Sequence, residues 1–289
     1  AVFLCMVLKV EKGRRNASFL CYNETYTRTG ISPEQKENTM KKLNIAIVGY
    51  GRSGCDIHGA FLRSKDNDIC NVVAVVEYDP ARSEAARKDF GCDTYSDYRE
   101  LFHRTDIDFV TNASYSNEHF PVALDLLNHG FNVLCEKPLC KSPEQVQQLM
   151  DAAKAHNCEL TIFHQYRYND YYLEMKKLLD KKVLGDVKLV RARQNFFARR
   201  YDWQTLLYRE GGAMRNNAAH TIEQIMDLAG SDELPEIHSR MEIWNSVGDA
   251  EDYMFATMKY SNGTVYEVEV NPSDAYADGC LFDIYGTLG

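Results

Sequence analysis

The chain has no apolar run near the ~20 residues needed to cross a bilayer, no internal repeat and no low-complexity tract. Positive charge is in deficit: 33 Lys and Arg stand against 42 Asp and Glu, a formal net charge of −9. No Lys/Arg-rich face is available to collect phosphates, which argues against a nucleic-acid partner. The nine cysteines contain no C-x-x-C pair and no Cys/His spacing of a metal site, so no metal is expected. Cys55, Cys70, Cys92, Cys135 and Cys158 fall in predicted helices, strands or their ends, where a reduced cysteine serves as a small apolar residue. That usage points to a cytoplasmic, reducing compartment. With 289 residues and 45% hydrophobic content, the chain can build two domains of ordinary size.

What is present is clearest at Asn44–Gly54. Ile45, Ala46, Ile47 and Val48 run directly into Gly49-x-Gly51-x-x-Gly54, and a helix is expected over Asp56–Leu62. An unbroken apolar run suits a parallel strand buried on both faces. The glycines allow a tight turn that brings bare backbone amides, those of Arg52 and Ser53 among them, against a pyrophosphate at a helix start. An acidic residue should close the next strand about 20 residues on, to hold the adenosine ribose. Glu77 does so after Asn71–Val76, with Asp79 as the weaker candidate. A carboxylate there repels a 2′-phosphate, so NAD is favoured as cofactor, while Arg82 in the following helix keeps NADP admissible.

Both ends look foreign to this pattern. Ala1–Val10 is apolar but lacks a leading positive region, which makes a poor signal peptide. Met40-Lys-Lys stands immediately before the first strand, as an authentic start would, so residues 1–39 are expected to be a disordered extension or a mis-assigned start. Leu281–Gly289 stops on a strand-turn pattern whose exposed edge would be a pairing hazard, and a C-terminal truncation is expected.

Between the ends, strands and helices alternate from Leu43 to about Leu160, the signature of a parallel sheet covered by helices. Helices are expected at Pro80–Phe90, from a Ser96 cap through His103, at Glu118–Asn128, and from Ser142 with Pro143 at N1 and Gln145 completing a capping box. Beyond that, helices are expected near Asp170–Leu184 and at Gly212–Ala229. Strands are expected at Val187–Asn195, Glu236–Trp244, Asp252–Tyr260 and Thr264–Val270, the last two joined by an Asn262-Gly263 hairpin. Successive strands favour antiparallel pairing. The expected class is therefore α/β: a doubly wound parallel sheet at 40–162, then an α+β domain at 163–289 with an open, mainly antiparallel sheet, incomplete at its C-terminus.

Glu136-Lys137-Pro138 follows the fifth strand at the carboxyl edge, where such sheets bind ligands. A lysine there can exchange a proton with a substrate hydroxyl if its surroundings lower its pKa. Glu136 is placed to pair with it, and Pro138 to take a cis bond.

Gly49-Tyr-Gly-Arg-Ser-Gly54, Glu136-Lys-Pro, His164-Gln-Tyr-Arg167 and Gly211-Gly…Asn216…His220, in that order, resemble the Gfo/Idh/MocA family of NAD(P)-dependent oxidoreductases over about residues 43–289. The resemblance implies a Rossmann domain, a second domain whose open sheet commonly mediates oligomers (a dimer or tetramer at full length), and hydride transfer to or from a hydroxyl carbon of a sugar, inositol or related polyol. It makes His220 the catalytic partner of Lys137 and assigns Asn112, Ser114, His119 and Gln165 to the cofactor, with Arg167 near the nicotinamide or substrate. It also implies that members continue past the position of Gly289.

Three departures qualify the match, one of them Ser114-Tyr115 where the family often has Thr-Pro. Many members carry Asp where this chain has Asn216; an amide can hold a substrate hydroxyl but cannot titrate near neutral pH. Tyr166 stands where a second Arg is frequent. On Gly212–Ala229, Met214, Ala218, Ile222, Ile225 and Ala229 are expected to form the buried stripe, with Asn216, His220, Glu223 and Asp227 on another face. The Phe196–Trp203 cluster either walls a polyol pocket or serves plain packing. Two alternatives to a dehydrogenase stay open: a hydrolase or lyase whose NAD is oxidised and restored within one turnover, and a non-catalytic NAD-binding sensor.

Overall fold

The computed structural model describes residues 42–276 and 279–289, and the backbone of two short antiparallel strands, Val7–Lys9 and Ser18–Leu20. The rest of the 1–39 segment, with the reading made of it above, lies outside the described residues. The chain divides into two compact units, with the boundary between Phe163 and His164.

In the first unit, β1 (Leu43–Val48), β2 (Cys70–Val76), β3 (Asp93–Tyr95), β4 (Phe109–Asn112), β5 (Asn132–Glu136) and β6 (Leu160–Phe163) form one sheet in the order β3-β2-β1-β4-β5-β6. Every neighbouring pair is parallel. The order reverses at β1, and the edge beyond the carboxyl ends of β1 and β4 is where such sheets bind ligands. Side-chain alternation along β1 explains the two layers. Ala46 and Val48 pack with Val122 and Leu126 of α3 (Ser116–Asn128) and Leu149 of α4 (Pro143–His156). Ile45 and Ile47 pack on the other face with Leu62 at the end of α1 (Gly59–Leu62) and Ala86 of α2 (Pro80–Phe90).

Helix ends follow local chemistry. Asp79 accepts from the amides of Ala81 and Arg82 ahead of α2, Pro80 sits at its first position, and Gly91 ends it at φ +64°. The short helix Tyr98–His103 is capped by Asp97 rather than Ser96, because Glu100 then reaches back to complete a capping box. At α4, Ser142 accepts from the Gln145 amide, but the Gln145 side chain takes the Lys141 N–H, one residue outside the box geometry. Helix α3 begins at Ser116, ahead of the expected start.

In the second unit, α5 (Asp170–Asp180) stops short of Leu184, since Lys182 turns out of the helix at φ +53°. Strands β7 (Val187–Asn195), β8 (Glu236–Glu242), β9 (Tyr253–Lys259), β10 (Val265–Asn271) and β11 (Phe282–Gly286) form a sheet in the order β8-β9-β10-β7-β11. The β8-β9-β10 meander is antiparallel as expected, but β10 pairs with β7 in parallel, and β11 lies antiparallel on the far side of β7. Helix α6 (Ala219–Ala229), which ends at left-handed Gly230, lays Ile225 on Val190, Ala256 and Val268 of one sheet face. The opposite face carries the ion pairs Arg191–Glu267 and Arg193–Asp283.

Among the described residues no helix is long and apolar enough to cross a membrane. The described cysteines are free thiols. Cys70, Cys92 and Cys135 are buried, and burial pushes the Cys70 thiol up to about 12.

Candidate active site

The three glycines after β1 answer three different needs. Gly49 adopts φ +88°, and a Cβ there would meet the Ala113 carbonyl oxygen at 2.5 Å. A Cβ on Gly54 would overlap the carbonyl oxygen of Gly49. Around Gly51, by contrast, a Cβ would meet nothing within 4 Å, so no protein atom demands a glycine at that point. The space it leaves lies at the start of the π-type turns Arg52–His58, which run on into α1. The first amides of a helix lack intrahelical acceptors and favour an anion. Bare backbone facing open space at a helix start fits a dinucleotide pyrophosphate.

Glu77 lies at the end of β2 and is buried. Its Oε2 accepts from the Tyr50 amide at 2.9 Å; its Oε1 accepts from the Asp79 amide and from Arg82 Nη2, both at 2.9 Å. Each carboxylate oxygen has two acceptor sites, so Oε1 is filled and Oε2 keeps one. Arg82, the residue that kept NADP admissible, is thus tied to the carboxylate that disfavours it.

After β4, Asn112 donates to the His119 carbonyl at 3.0 Å and accepts from the Ser114 hydroxyl at 2.7 Å. The His119 ring faces two carbonyl oxygens, that of Pro138 from Nδ1 (2.6 Å) and that of Ser114 from Nε2 (3.1 Å). These contacts brace the loop after β4 against the loop after β5, and Asn112 and His119 are buried within them.

Lys137 is half-buried and its bond to Pro138 is cis. Glu136 Oε1 accepts from His58 Nε2 at 3.0 Å, both side chains buried, a partner the sequence reading did not name. Desolvation pushes the Glu136 carboxyl up, but the His58 bond, with the charges of Lys137 and His119, outweighs it and holds the group below its ordinary range.

In the second unit, α6 is preceded by π-type turns over Met214–Ala218, a distortion frequent at functional sites. Asn216 lies in those turns and His220 one turn further, in α6 itself. Met214, expected in the buried stripe, is exposed. The wider turn rotates it out of register with Ala218 and Ile225. His220 is buried, with the Tyr166 ring stacked on it at 4.0 Å and 14° and the His164 ring edge-on at 6.3 Å. Asn216 Oδ1 accepts from Gln204 Nε2 at 2.8 Å, beside a cavity of about 40 Å³ that both residues line. Gly212, at φ +112°, makes room for the Glu251 carboxylate, which accepts from the Met214 amide at the head of the turns.

Arg167 is engaged by carboxylates within the second unit. It is paired with Glu223 and lies 3.8 Å from Asp227, which also takes Lys176 Nζ at 2.7 Å and the Tyr172 hydroxyl. Burial would lower the Arg167 pKa, but the two carboxylates raise it. Gln165 keeps a buried Oε1 with no hydrogen-bond partner among the described residues. Gln204, Glu251 and His58 escaped the sequence reading. Only His58 had a usable signal, its position at the end of the turns that follow the glycines.

Two family models match the chain: an oxidoreductase family model with an NAD-binding Rossmann fold over residues 43–164, and the GFO/IDH/MocA C-terminal domain over 172–289. The chain belongs to the GFO/IDH/MocA family. Its first unit is accordingly the NAD-binding Rossmann domain of that family. Among relatives, a 2,7-anhydro-N-acetylneuraminate hydratase of Mediterraneibacter gnavus is 26% identical over 77% of this chain and 60% of its own length. The scyllo-inositol 2-dehydrogenase (NADP(+)) of Bacillus subtilis is 23% identical over 89% of this chain and 70% of its own length. The WlbA dehydrogenase of Bordetella pertussis, solved with NADH and UDP-GlcNAcA, shares the fold at a TM-score of 0.76 and 21% identity, over 86% of this chain and 72% of that one. The chain spans about 60% of the length of the first curated relatives it matches.

Proposed function

We propose that this GFO/IDH/MocA chain carries the chemistry of an NAD-dependent dehydrogenase acting on a CH–OH group of a sugar, inositol or related polyol. The observation that carries this reading is the open space over Gly51 on the sheet edge from which β5 also delivers Lys137. Arg52, Ser53 and Gly54 would hold the pyrophosphate with their amides, and Glu77 would take one ribose hydroxyl on its remaining Oε2 site. NAD, when bound, supplies the acceptor for the hydride of the alcohol carbon.

The chain supplies the proton chemistry. Lys137 takes the hydroxyl proton as the C–H bond breaks, and gives it back in the reverse direction. His220, in the second unit, is proposed as a further proton-handling group, and Asn216 as an oxygen ligand that does not titrate. His58 and Glu136 support Lys137 from behind. Asn112, Ser114 and His119 shape the loops around the nicotinamide rather than reach for it, and Arg167 holds the second unit together.

A second reading is favoured by one observation, the Gln204–Asn216 amide pair where a carboxylate base is common, together with a hydratase among the relatives. In it the redox step is transient and NAD is restored within each turnover. Screening neutral polyols and sugars with NAD separates the two: net NADH formation supports a dehydrogenase, whereas product without NADH supports the second reading. NADH binding with neither outcome would leave a sensor. A reducing, cytoplasmic setting and self-association through the open face of the second sheet belong to the same proposal.

A further inference from the structure

Resting on the reading of His220 as a catalytic group, we propose that Tyr166 is its positioning residue, setting the plane of the imidazole. The two rings lie almost parallel, 14° apart, with centroids at 4.0 Å. Flat stacking of this kind leaves the ring edges, and with them the two nitrogens, to face sideways out of the stack. A bulky flat neighbour therefore decides where those nitrogens aim.

Tyr166 is held to its task by α6 itself. Gln224, one turn beyond His220 and only 1% exposed, donates from Nε2 to the Tyr166 carbonyl oxygen at 2.7 Å. The carbonyl of Gln224 in turn accepts from the Tyr172 hydroxyl at 3.1 Å, and Tyr172 also bonds Asp227. The backbone that carries the Tyr166 ring is thus tied to the helix that carries His220. His164 closes a further side with its ring edge-on at 6.3 Å. A positively charged side chain at position 166 would lay a cation over the imidazole and oppose its protonation; a phenol ring supplies the same flat surface without charge.

A misaimed base at ~1 Å loses about a hundredfold in rate while the fold persists. The test compares Tyr166→Leu, Tyr166→Phe and His220→Ala with the wild type. Turnover is followed with NAD and scyllo-inositol, myo-inositol and D-glucose, using whichever the wild type oxidises fastest. Tyr166→Leu should lower kcat by about tenfold or more with NADH affinity unchanged, and Tyr166→Phe should restore it, because the ring and not the hydroxyl acts. In nuclear magnetic resonance spectra, the His220 ring protons, identified by their loss in His220→Ala, should leave their ring-current-shifted positions in Tyr166→Leu and keep them in Tyr166→Phe. A kcat in Tyr166→Leu within tenfold of the wild type, or a Tyr166→Phe variant as slow as Tyr166→Leu, overturns the positioning role alone. Full activity in His220→Ala, or no oxidation of any of the three probes by the wild type, removes the functional reading and this inference with it.

Discussion

His58 Nε2 and Glu136 Oε1 meet at 3.0 Å inside the first unit, joining the turns that follow the glycines to the Glu-Lys-Pro loop after β5. Removing one partner of a buried pair leaves the other uncompensated, at a cost of about 3 kcal/mol. His58→Ala should lose about that much stability in chemical denaturation. The pH dependence has a definite sign. The folded-state Glu136 pKa lies below its ordinary value of 4.5, so its contribution is present above that pH and is lost as pH falls through the folded value. In His58→Ala this acid-side loss should vanish, because the bond that lowers the pKa is gone.

Gly51 and Gly54 should respond oppositely to the same methyl group. Gly54→Ala forces a Cβ into the Gly49 carbonyl and should cost about 3 kcal/mol. Gly51→Ala meets nothing within the protein and should change stability by less than about 1 kcal/mol, yet weaken NADH about tenfold by filling the pyrophosphate's space. Denaturation and NADH fluorescence titration measure the two effects. Unchanged NADH affinity in Gly51→Ala would remove the pyrophosphate from that place.

Cofactor choice turns on Glu77 and Arg82. While Arg82 is engaged by Glu77, a 2′-phosphate meets a buried carboxylate whose Oε1 is already filled. The wild type should bind NADH at least about tenfold tighter than NADPH. Glu77→Gln removes the charge and releases Arg82, so the preference should narrow or reverse. Equal affinities in the wild type would mean that Arg82 leaves Glu77 when NADPH arrives.

Arg167 separates a structural from a substrate role. Its partners Glu223 and Asp227 lie on α6, and desolvation raises the Glu223 pKa even with the guanidinium present. Arg167→Met should lower stability by about 1–3 kcal/mol, as expected when a half-buried carboxylate loses its partner. KM for the polyol should stay within about threefold, a shift too small for a lost charged contact. A large rise in KM without loss of stability would return Arg167 to the substrate.

What was legible in the sequence was local or periodic. The run Ile45–Val48 into three glycines, the helix start at Pro80 and the Asn262-Gly263 hairpin all express short-range chemistry, and each appears where the residues place it. Asp97 was legible but passed over: Glu100 stands three residues beyond it, the spacing of a capping box, whereas Arg99 holds that place for Ser96. Other features had no local signal. The π-type turns before α6 displaced Met214 from a stripe drawn at regular helical spacing. The parallel β7–β10 pair joins strands far apart in the chain, and the partners of Arg167, Asn216 and Glu136 are chosen by tertiary packing. The hydrogen bonds of the candidate residues were therefore not readable from the sequence.

The central claim is that Lys137 moves the substrate's proton beside a dinucleotide held over Gly51. Its most direct measurement pairs NADH titration with turnover in Lys137→Met, using a polyol that the wild type oxidises. The account predicts NADH affinity within about threefold of the wild type and a kcat lower by at least about a hundredfold, the scale of a lost general base. A Lys137→Met variant that turns over at the wild-type rate would contradict it.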